Sequence, residues 1–287
     1  IDQSLPASGV TSGQMAVAFL PFFHIYGLQV MQNMYLAAGA GIVTMPRFDL
    51  ELFLNLVVEH KTPLLWIVPP VALALAKHPV IDSYDLSVVE QITSAAAPLG
   101  ADLAVRMGER INARAVQGYG MTELSPVSHL SAHGKSKPGS SGVTMGSTEC
   151  RIIDPDTLQD MPVGQDGELW IRGPQVMKGY LNNDIATSET IVDHGWLRTG
   201  DIAHFDDEGF LFITDRLKEL IKYKGFQVAP AELEAELVTH PAIADAAVIG
   251  TPDDEAGELP TAFIAVVQTK FSSSETGHSS AKCVLAL

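Results

Sequence analysis

The run Gln117-Gly118-Tyr119-Gly120-Met121-Thr122-Glu123 places an aromatic ring, a hydroxyl and a carboxylate beside two glycines. That set suits a nucleotide. The glycines let a backbone turn sharply and approach a ligand, and Tyr119 offers a flat face to a purine. Thr122 supplies a hydroxyl for a phosphate and Glu123 a hard oxygen for a metal ion. An ordinary strand-to-helix turn has the same composition, so local chemistry leaves both readings open. Further on, Asp201 follows Thr199-Gly200. A carboxylate there can accept both hydroxyls of a ribose, or close its own turn. The stretch from Asp215 to Gln227 carries Arg216, Lys218, Lys222 and Lys224, four of the chain's 18 basic residues. In so acidic a chain this is a natural place for phosphates, with a solvated helix face as the competing reading. His24, in Phe22-Phe23-His24-Ile25-Tyr26-Gly27, is either a ligand-facing imidazole or a core residue satisfied among aromatics.

The elements that must position these groups follow from the hydrophobic period. Residues 15–21, 40–45, 64–68 and 88–93 read as buried strands, and 50–58 and 71–77 as helices. Asp49 caps the first helix, and Leu50, Phe53, Leu54, Val57 and Val58 form its core stripe. The alternation predicts a mainly parallel α/β sheet. Ligands of such sheets bind at the carboxyl ends of strands, where the loops 22–27, 94–100 and 118–123 emerge. Residues 134–146, rich in glycine, serine and proline, mark a boundary or mobile loop. Beyond it 151–154, 168–172 and 210–214 are short strand candidates that suit a small antiparallel barrel or sheet. Pro230 opens a helix with Leu233 and Leu237 inward. Residues 246–249 and 262–267 read as strands of a second small domain, separated by the acidic loop 253–255. From Phe271 onward no periodic pattern continues.

With 287 residues, 46% of them hydrophobic, the chain suggests roughly two domains with a substantial core. Its mean hydropathy is +0.17. A formal charge of −16 argues against nonspecific binding to nucleic acid or to an anionic membrane, both of which need clustered positive charge. The two cysteines, Cys150 and Cys283, have no metal-ligand or redox spacing, which fits a reducing compartment. The longest apolar run, 63–76, is broken by Pro63, Pro69 and Pro70 and is too short to span a bilayer. No segment reads as a signal peptide, and the cytoplasm is the expected location. The chain opens at Ile1, so upstream sequence is expected.

Taken in order, these stretches resemble the acyl-adenylate-forming (AMP-binding) superfamily, in particular its 4-coumarate:CoA ligase branch. The likeness covers roughly residues 15–267 and rests on an ordered set of motifs. They are the Phe-Phe-His-Ile-Tyr loop, Ala-Ala-Pro-Leu-Gly, Gln-Gly-Tyr-Gly-Met-Thr-Glu, Gly-Glu-Leu-Trp-Ile-Arg-Gly, Gly-Trp-Leu-Arg-Thr-Gly-Asp, and the run from Asp215 to Glu234. The resemblance implies two half-reactions. A carboxylate attacks the α-phosphate of Mg-ATP to give an acyl-AMP and pyrophosphate, and the thiol of coenzyme A then displaces AMP.

By position in the matched motifs, the resemblance implies that Tyr119 stacks on adenine, Thr122 contacts the α-phosphate and Glu123 approaches Mg2+. Asp201 takes the ribose hydroxyls and Arg216 supports the nucleotide. Ala96, Ala97, Pro98, Gln117, Gly118, Gly120, Met121 and Ile213 line the nucleotide. His24 guides the carboxylate and the pantetheine route, and Lys218 is the hinge of a mobile small domain. Lys222, Lys224, Gly225 and Gln227 face the site in the thioester-forming orientation, Lys222 with a catalytic role. Tyr26, Val30, Ala95, Gly120, Pro126 and Val127 line the acyl pocket. The extra methyl of Ala95, where the family often has glycine, narrows the pocket floor. Val30 has no hydroxyl for a ring 4-OH, which implies tolerance for cinnamate or a medium-chain fatty acid over strict 4-coumarate recognition.

The implied organisation is the C-terminal part of a large domain at 1–214, split into an α/β subdomain at 1–140 and a β-barrel at 141–214. An incomplete α+β domain at 215–267 and a divergent tail at 268–287 follow. The family's phosphate-gripping loop with its lysine is expected upstream of Ile1. Its C-terminal catalytic lysine is expected in a Pro-x-Ser/Thr-x-Gly-Lys motif, which Ser279-Ser280-Ala281-Lys282 does not match. The tail therefore reads as a frameshifted or misjoined end, and the chain as a fragment expected to be inactive alone. A noncatalytic AMP- or acyl-adenylate-binding remnant is the alternative.

Overall fold

A computed structural model describes residues 1–132, 135–224, 226–240, 242–253, 256–266 and 282–286. The chain divides into two compact units. The first is Ile1–Thr199 with His204–Ile213, and the second is Gly200–Ala203 with Thr214–Leu287.

In the first unit, Leu64–Ile67, Gln91–Ser94 and Arg114–Gly120 pair in parallel, as expected of strands joined through helices. The sheet then turns antiparallel through Val127–Leu130 and Val143–Thr144. Met15–Ala18 and Gly41–Thr44 form a separate parallel pair. Side chains alternate between two cores. Leu65 and Ile67 enter one with Phe53, Leu54 and Val57, while Leu64 and Trp66 enter the other with Tyr26, Val30 and Tyr35. Asp49 caps its helix as its position predicts, its Oδ1 accepting from Leu52 N at 2.9 Å. Val58, expected in the core stripe, is exposed instead, because the apolar face of this helix is narrower than its run of apolar residues. Pro69 and Pro70 start the next helix, where their missing N–H groups cost nothing.

The segment after Phe23 is not a loop ending at Gly27. It winds into a π-helical stretch, Tyr26–Asn33, in which Met34 N donates to Gln29 O. Of the boundary region, Gly134 lies outside the described residues, and the stretch around Ser140 is anchored. Ser140 and Ser141 are buried, and Ser141 N donates to Leu211 O at 2.8 Å. The short strands expected beyond it form an open five-stranded sheet. Its order is Ile191–Val192, Trp196–Phe205, Gly167–Arg172, Glu149–Ile153, with Leu211–Arg216 beside Trp196–Phe205.

The second unit is built on a long antiparallel hairpin, Ile243–Asp253 with Gly257–Val266. The helix Pro230–Leu237 lays Leu233 and Leu237 on Ile221, Val248 and Ala262. Ile221–Tyr223 and Phe226–Val228 form a second hairpin, so the basic stretch is strand and turn, not a helix face. The tail is not wholly without structure, since Lys282–Ala286 pairs antiparallel with Gly257–Val266. No helix among the described residues is long and apolar enough to cross a membrane.

Candidate nucleotide-binding site

The strand Arg114–Gly120 carries the site. Its parallel half sets Gln117 opposite Ser94, and its antiparallel half sets Tyr119 opposite His129. Gly118 and Gly120 therefore stand in extended backbone, not in a turn, and neither has a positive φ. Packing explains Gly120, because a Cβ there would lie 2.0 Å from Pro126 O. A short 3₁₀ turn, Thr122–Leu124, follows the strand, with Leu124 fully buried and Thr122 exposed.

Gln117 is buried and its Oε1 accepts from Leu99 N at 2.9 Å. It anchors the loop after Gln91–Ser94 to the neighbouring strand. On that loop Ala96, Ala97 and Pro98 are exposed, and Ala96 adopts a left-handed φ of 76°. The tethered loop thus holds small, exposed residues beside the end of the strand that carries Tyr119.

Tyr119 is half-buried, its ring 5.9 Å from that of His129 at 58°. His129 is fully buried. Ser128 Oγ lies 2.9 Å from its Nδ1, and Thr144 Oγ1 and Cys150 Sγ lie 3.2 and 3.4 Å from its Nε2. Burial drives the imidazole down to about 3, so it is neutral at neutral pH. Burial also pushes the Cys150 thiol up to about 11, which makes it a poor nucleophile.

Glu123 faces a residue absent from the expected site. Tyr180 Oη donates to its Oε1 at 2.7 Å, while Met177 N donates to Glu123 O at 2.7 Å. Burial, and then the Glu123 carboxylate, raise the Tyr180 hydroxyl above its ordinary range, so it is a protonated donor.

Of the expected acyl-pocket residues, Tyr26 and Val30 are buried in one apolar cluster against which Ala95 and Val127 pack. Tyr26 Oη lies 3.3 Å from Ile67 O and 3.4 Å from Thr93 O. Val30, Pro126 and Val127 border a cavity of about 20 Å³, room for about one water molecule. His24 is exposed, contrary to the reading of it as a satisfied core residue, and its Nδ1 accepts from Tyr26 N at 3.1 Å. A larger cleft of about 450 Å³ between Ala104, Gly108, Glu109 and Arg114 contains none of the expected site residues.

Ile213, at the end of the first unit, is half-buried. In the second unit Arg216 Nε lies 3.5 Å from Asp201 Oδ1, with Asp201 largely buried and Arg216 exposed. Lys222 is exposed, stands opposite Gln227, and its backbone N donates to Glu258 Oε2 at 2.7 Å. Lys224 has a φ of 48° and its ammonium lies 5.3 Å from the centre of the Tyr223 ring. Lys218 is exposed on the turn before Ile221–Tyr223, within the second unit. Gly225 lies outside the described residues.

Sequence reasoning missed Tyr180, His129 and the buried Glu168. Trp170 Nε1 donates to Glu168 Oε2 at 2.8 Å, and Arg198 Nη2 donates to the same oxygen at 3.1 Å. For Tyr180 the signal was an aromatic directly after Gly179 in a polar stretch, and for Glu168 its place in Gly-Glu-Leu-Trp-Ile-Arg-Gly.

A parallel sheet whose strand end presents a ring, a hydroxyl and a carboxylate is the form of a nucleotide-binding α/β enzyme. Residues 3–181 match the model of the AMP-binding enzyme family and residues 232–280 that of the AMP-binding enzyme C-terminal domain; the chain belongs to this family. It is 49% identical over 259 residues to a 4-coumarate--CoA ligase 1 of Solanum tuberosum, covering 88% of this chain and 48% of that one. To its counterpart in Petroselinum crispum it is 47% identical over 270 residues, 92% of this chain and 50% of that one. The chain thus spans about half the length of these relatives. Among solved structures, ATP-bound MatB from Rhodopseudomonas palustris superposes with a TM-score of 0.84 at 29% identity, covering 94% of this chain and 53% of that one. The anthranilate CoA ligase AuaEII in complex with anthranoyl-AMP gives 0.85 at 25% identity, covering 94% and 52%.

Proposed function

We propose that this chain supplies the adenine, α-phosphate and acyl-recognition part of an ATP-dependent carboxylate:CoA ligase acting on a phenylpropanoid or medium-chain acid. The observation that carries this reading is the strand end at Tyr119, Thr122 and Glu123, in a chain 49% identical to a 4-coumarate--CoA ligase. A carboxylate displaces pyrophosphate from ATP, and the thiol of coenzyme A then displaces AMP from the acyl-adenylate. The protein contributes positioning and charge placement. Tyr119 gives the purine a platform, Thr122 a hydroxyl to the α-phosphate, and Asp201 with Arg216 an acceptor and a cation for the ribose and phosphate. His24 and Lys222 are solvent-facing, as groups that meet incoming substrates must be.

Mg2+ fits the donor chemistry at Glu123. The group is a hard carboxylate with one oxygen held by a neighbouring hydroxyl, and no cluster of three or more His, Cys, Asp or Glu exists among the described residues. Magnesium is commonly held by one or two carboxylates together with substrate phosphates and water. Bound there, it neutralises phosphate charge. The cysteine usage supports a reducing compartment, the cytoplasm, as the setting of the reaction.

Val30 and Ala95, both apolar, favour cinnamate or a medium-chain acid over 4-coumarate. A chimera in which this segment replaces the corresponding half of the Solanum tuberosum relative tests the reading by ATP- and CoA-dependent thioester formation. Turnover of cinnamate or octanoate at least equal to that of 4-coumarate is expected, and a large preference for 4-coumarate contradicts the pocket assignment. AMP binding without turnover of any acid would instead favour a noncatalytic adenylate-binding remnant.

A further inference from the structure

We propose that Tyr180 is a positioning residue for Glu123, fixing the carboxylate that receives the metal of a metal-nucleotide complex. This rests on the nucleotide-site reading given above. The contact is a direct hydroxyl-to-carboxylate hydrogen bond of 2.7 Å between residues 57 positions apart. A hydroxyl that donates to one oxygen holds the carboxylate in one rotamer and leaves its remaining lone pairs for a cation. Outer donors of this kind orient metal-binding carboxylates, and their loss typically lowers metal affinity 10- to 100-fold.

Tyr180 is itself held in place. Its backbone N donates to Thr187 Oγ1 at 2.9 Å, and that hydroxyl donates to Asn183 O at 2.8 Å. Asn183 caps the helix Asp184–Thr190 through a bond from Ala186 N at 3.1 Å. Gly179 permits this seat, since a Cβ there would lie 2.7 Å from Thr187 Cγ2 and its φ is 149°. Met177 N adds a second tether, to the carbonyl of Glu123. The loop before the helix is thereby fastened to both the backbone and the side chain of one acidic residue.

The test is Mn2+ binding to the 287-residue chain in the presence of AMP, read by electron paramagnetic resonance, alongside calorimetric titration of AMP without metal. Tyr180→Phe removes only the hydroxyl, and is expected to weaken Mn2+ binding about 10-fold while metal-free AMP affinity stays unchanged. Thr187→Val keeps the hydroxyl but loosens the seat of Tyr180, and a smaller loss of Mn2+ affinity is expected. Unchanged Mn2+ affinity in Tyr180→Phe, with a clear loss in Glu123→Gln, overturns the positioning role and leaves the nucleotide site intact. If Glu123→Gln is also without effect and the chain binds no AMP, the nucleotide-site reading itself fails and the positioning role falls with it.

Discussion

A Cβ on Gly120 would lie 2.0 Å from the carbonyl oxygen of Pro126, the oxygen that accepts Met121 N at 2.9 Å. Backbone meets backbone here, so no side-chain movement can relieve the clash. Gly120→Ala is expected to lower stability by about 1–3 kcal/mol, the usual cost of overpacking, measured as a lower denaturant midpoint. At Gly118 the nearest atom is the flexible Cδ1 of Leu130, at 3.3 Å. Gly118→Ala is therefore expected to change stability little, and equal losses in the two variants would contradict this account.

His129 makes stability depend on acid. Its folded-state pKa of about 3 lies below the unfolded value of about 6.5. Between those values the unfolded chain binds a proton that the folded chain does not, so stability present above pH 6.5 is lost as the pH falls. One proton corresponds to about 1.4 kcal/mol per pH unit. Replacing His129 with Gln removes the titration, and its unfolding free energy should fall less steeply from pH 6.5 to 4.5. Parallel pH curves for the two proteins would refute the assignment.

The second unit is expected to respond with the opposite sign. Burial is the first cause raising both Asp215 and Glu234, with neighbouring carboxylates adding to the effect. A raised carboxylate contributes stability that is present at low pH and lost as the pH rises through its folded-state pKa. Glu234 accepts from Val248 N at 2.8 Å, a bond that Gln can keep without the charge. Glu234→Gln should slow amide exchange in the Ile243–Asp253 strand at pH 7, and faster exchange there would count against it.

Glu168 is the buried hub of its sheet, only 2% exposed, and holds both the Trp170 indole and the Arg198 guanidinium. Glu168→Ala leaves the indole N–H without its acceptor and is expected to cost about 1–3 kcal/mol. Glu168→Gln keeps an acceptor for Trp170 and should cost less. The comparison is made by thermal unfolding.

Local period and capping were enough to read most of the α/β part. The strand read at 64–68 forms at Leu64–Ile67, and the Asp49 cap and the helix opened by Pro230 stand where local pattern puts them, while the strand read at 88–93 forms instead at Gln91–Ser94. Long-range pairing was not legible. Gly118 and Gly120 look like turn residues because glycine is common in turns, yet a partner strand seven or more residues away holds them extended. The strand Lys282–Ala286 forms by pairing with Gly257–Val266, and its own residues carry no alternation. Tyr180 was overlooked because its partner lies 57 positions away. The ordered motifs identified the family, while the roles of Gln117 as a loop anchor and His129 as a neutral buried ring emerged only from contacts.

The central claim, that the strand end at Gln117–Glu123 binds the adenine and α-phosphate, is tested most directly by calorimetric titration of AMP into this chain and its Tyr119→Ala variant. Stacking of a base on an aromatic ring contributes about 1–3 kcal/mol, so the variant should bind AMP roughly 5- to 150-fold more weakly. Saturable binding by the native chain, weakened to that extent by the substitution, is the predicted result. Absence of AMP binding, or equal affinity in the two proteins, would contradict it.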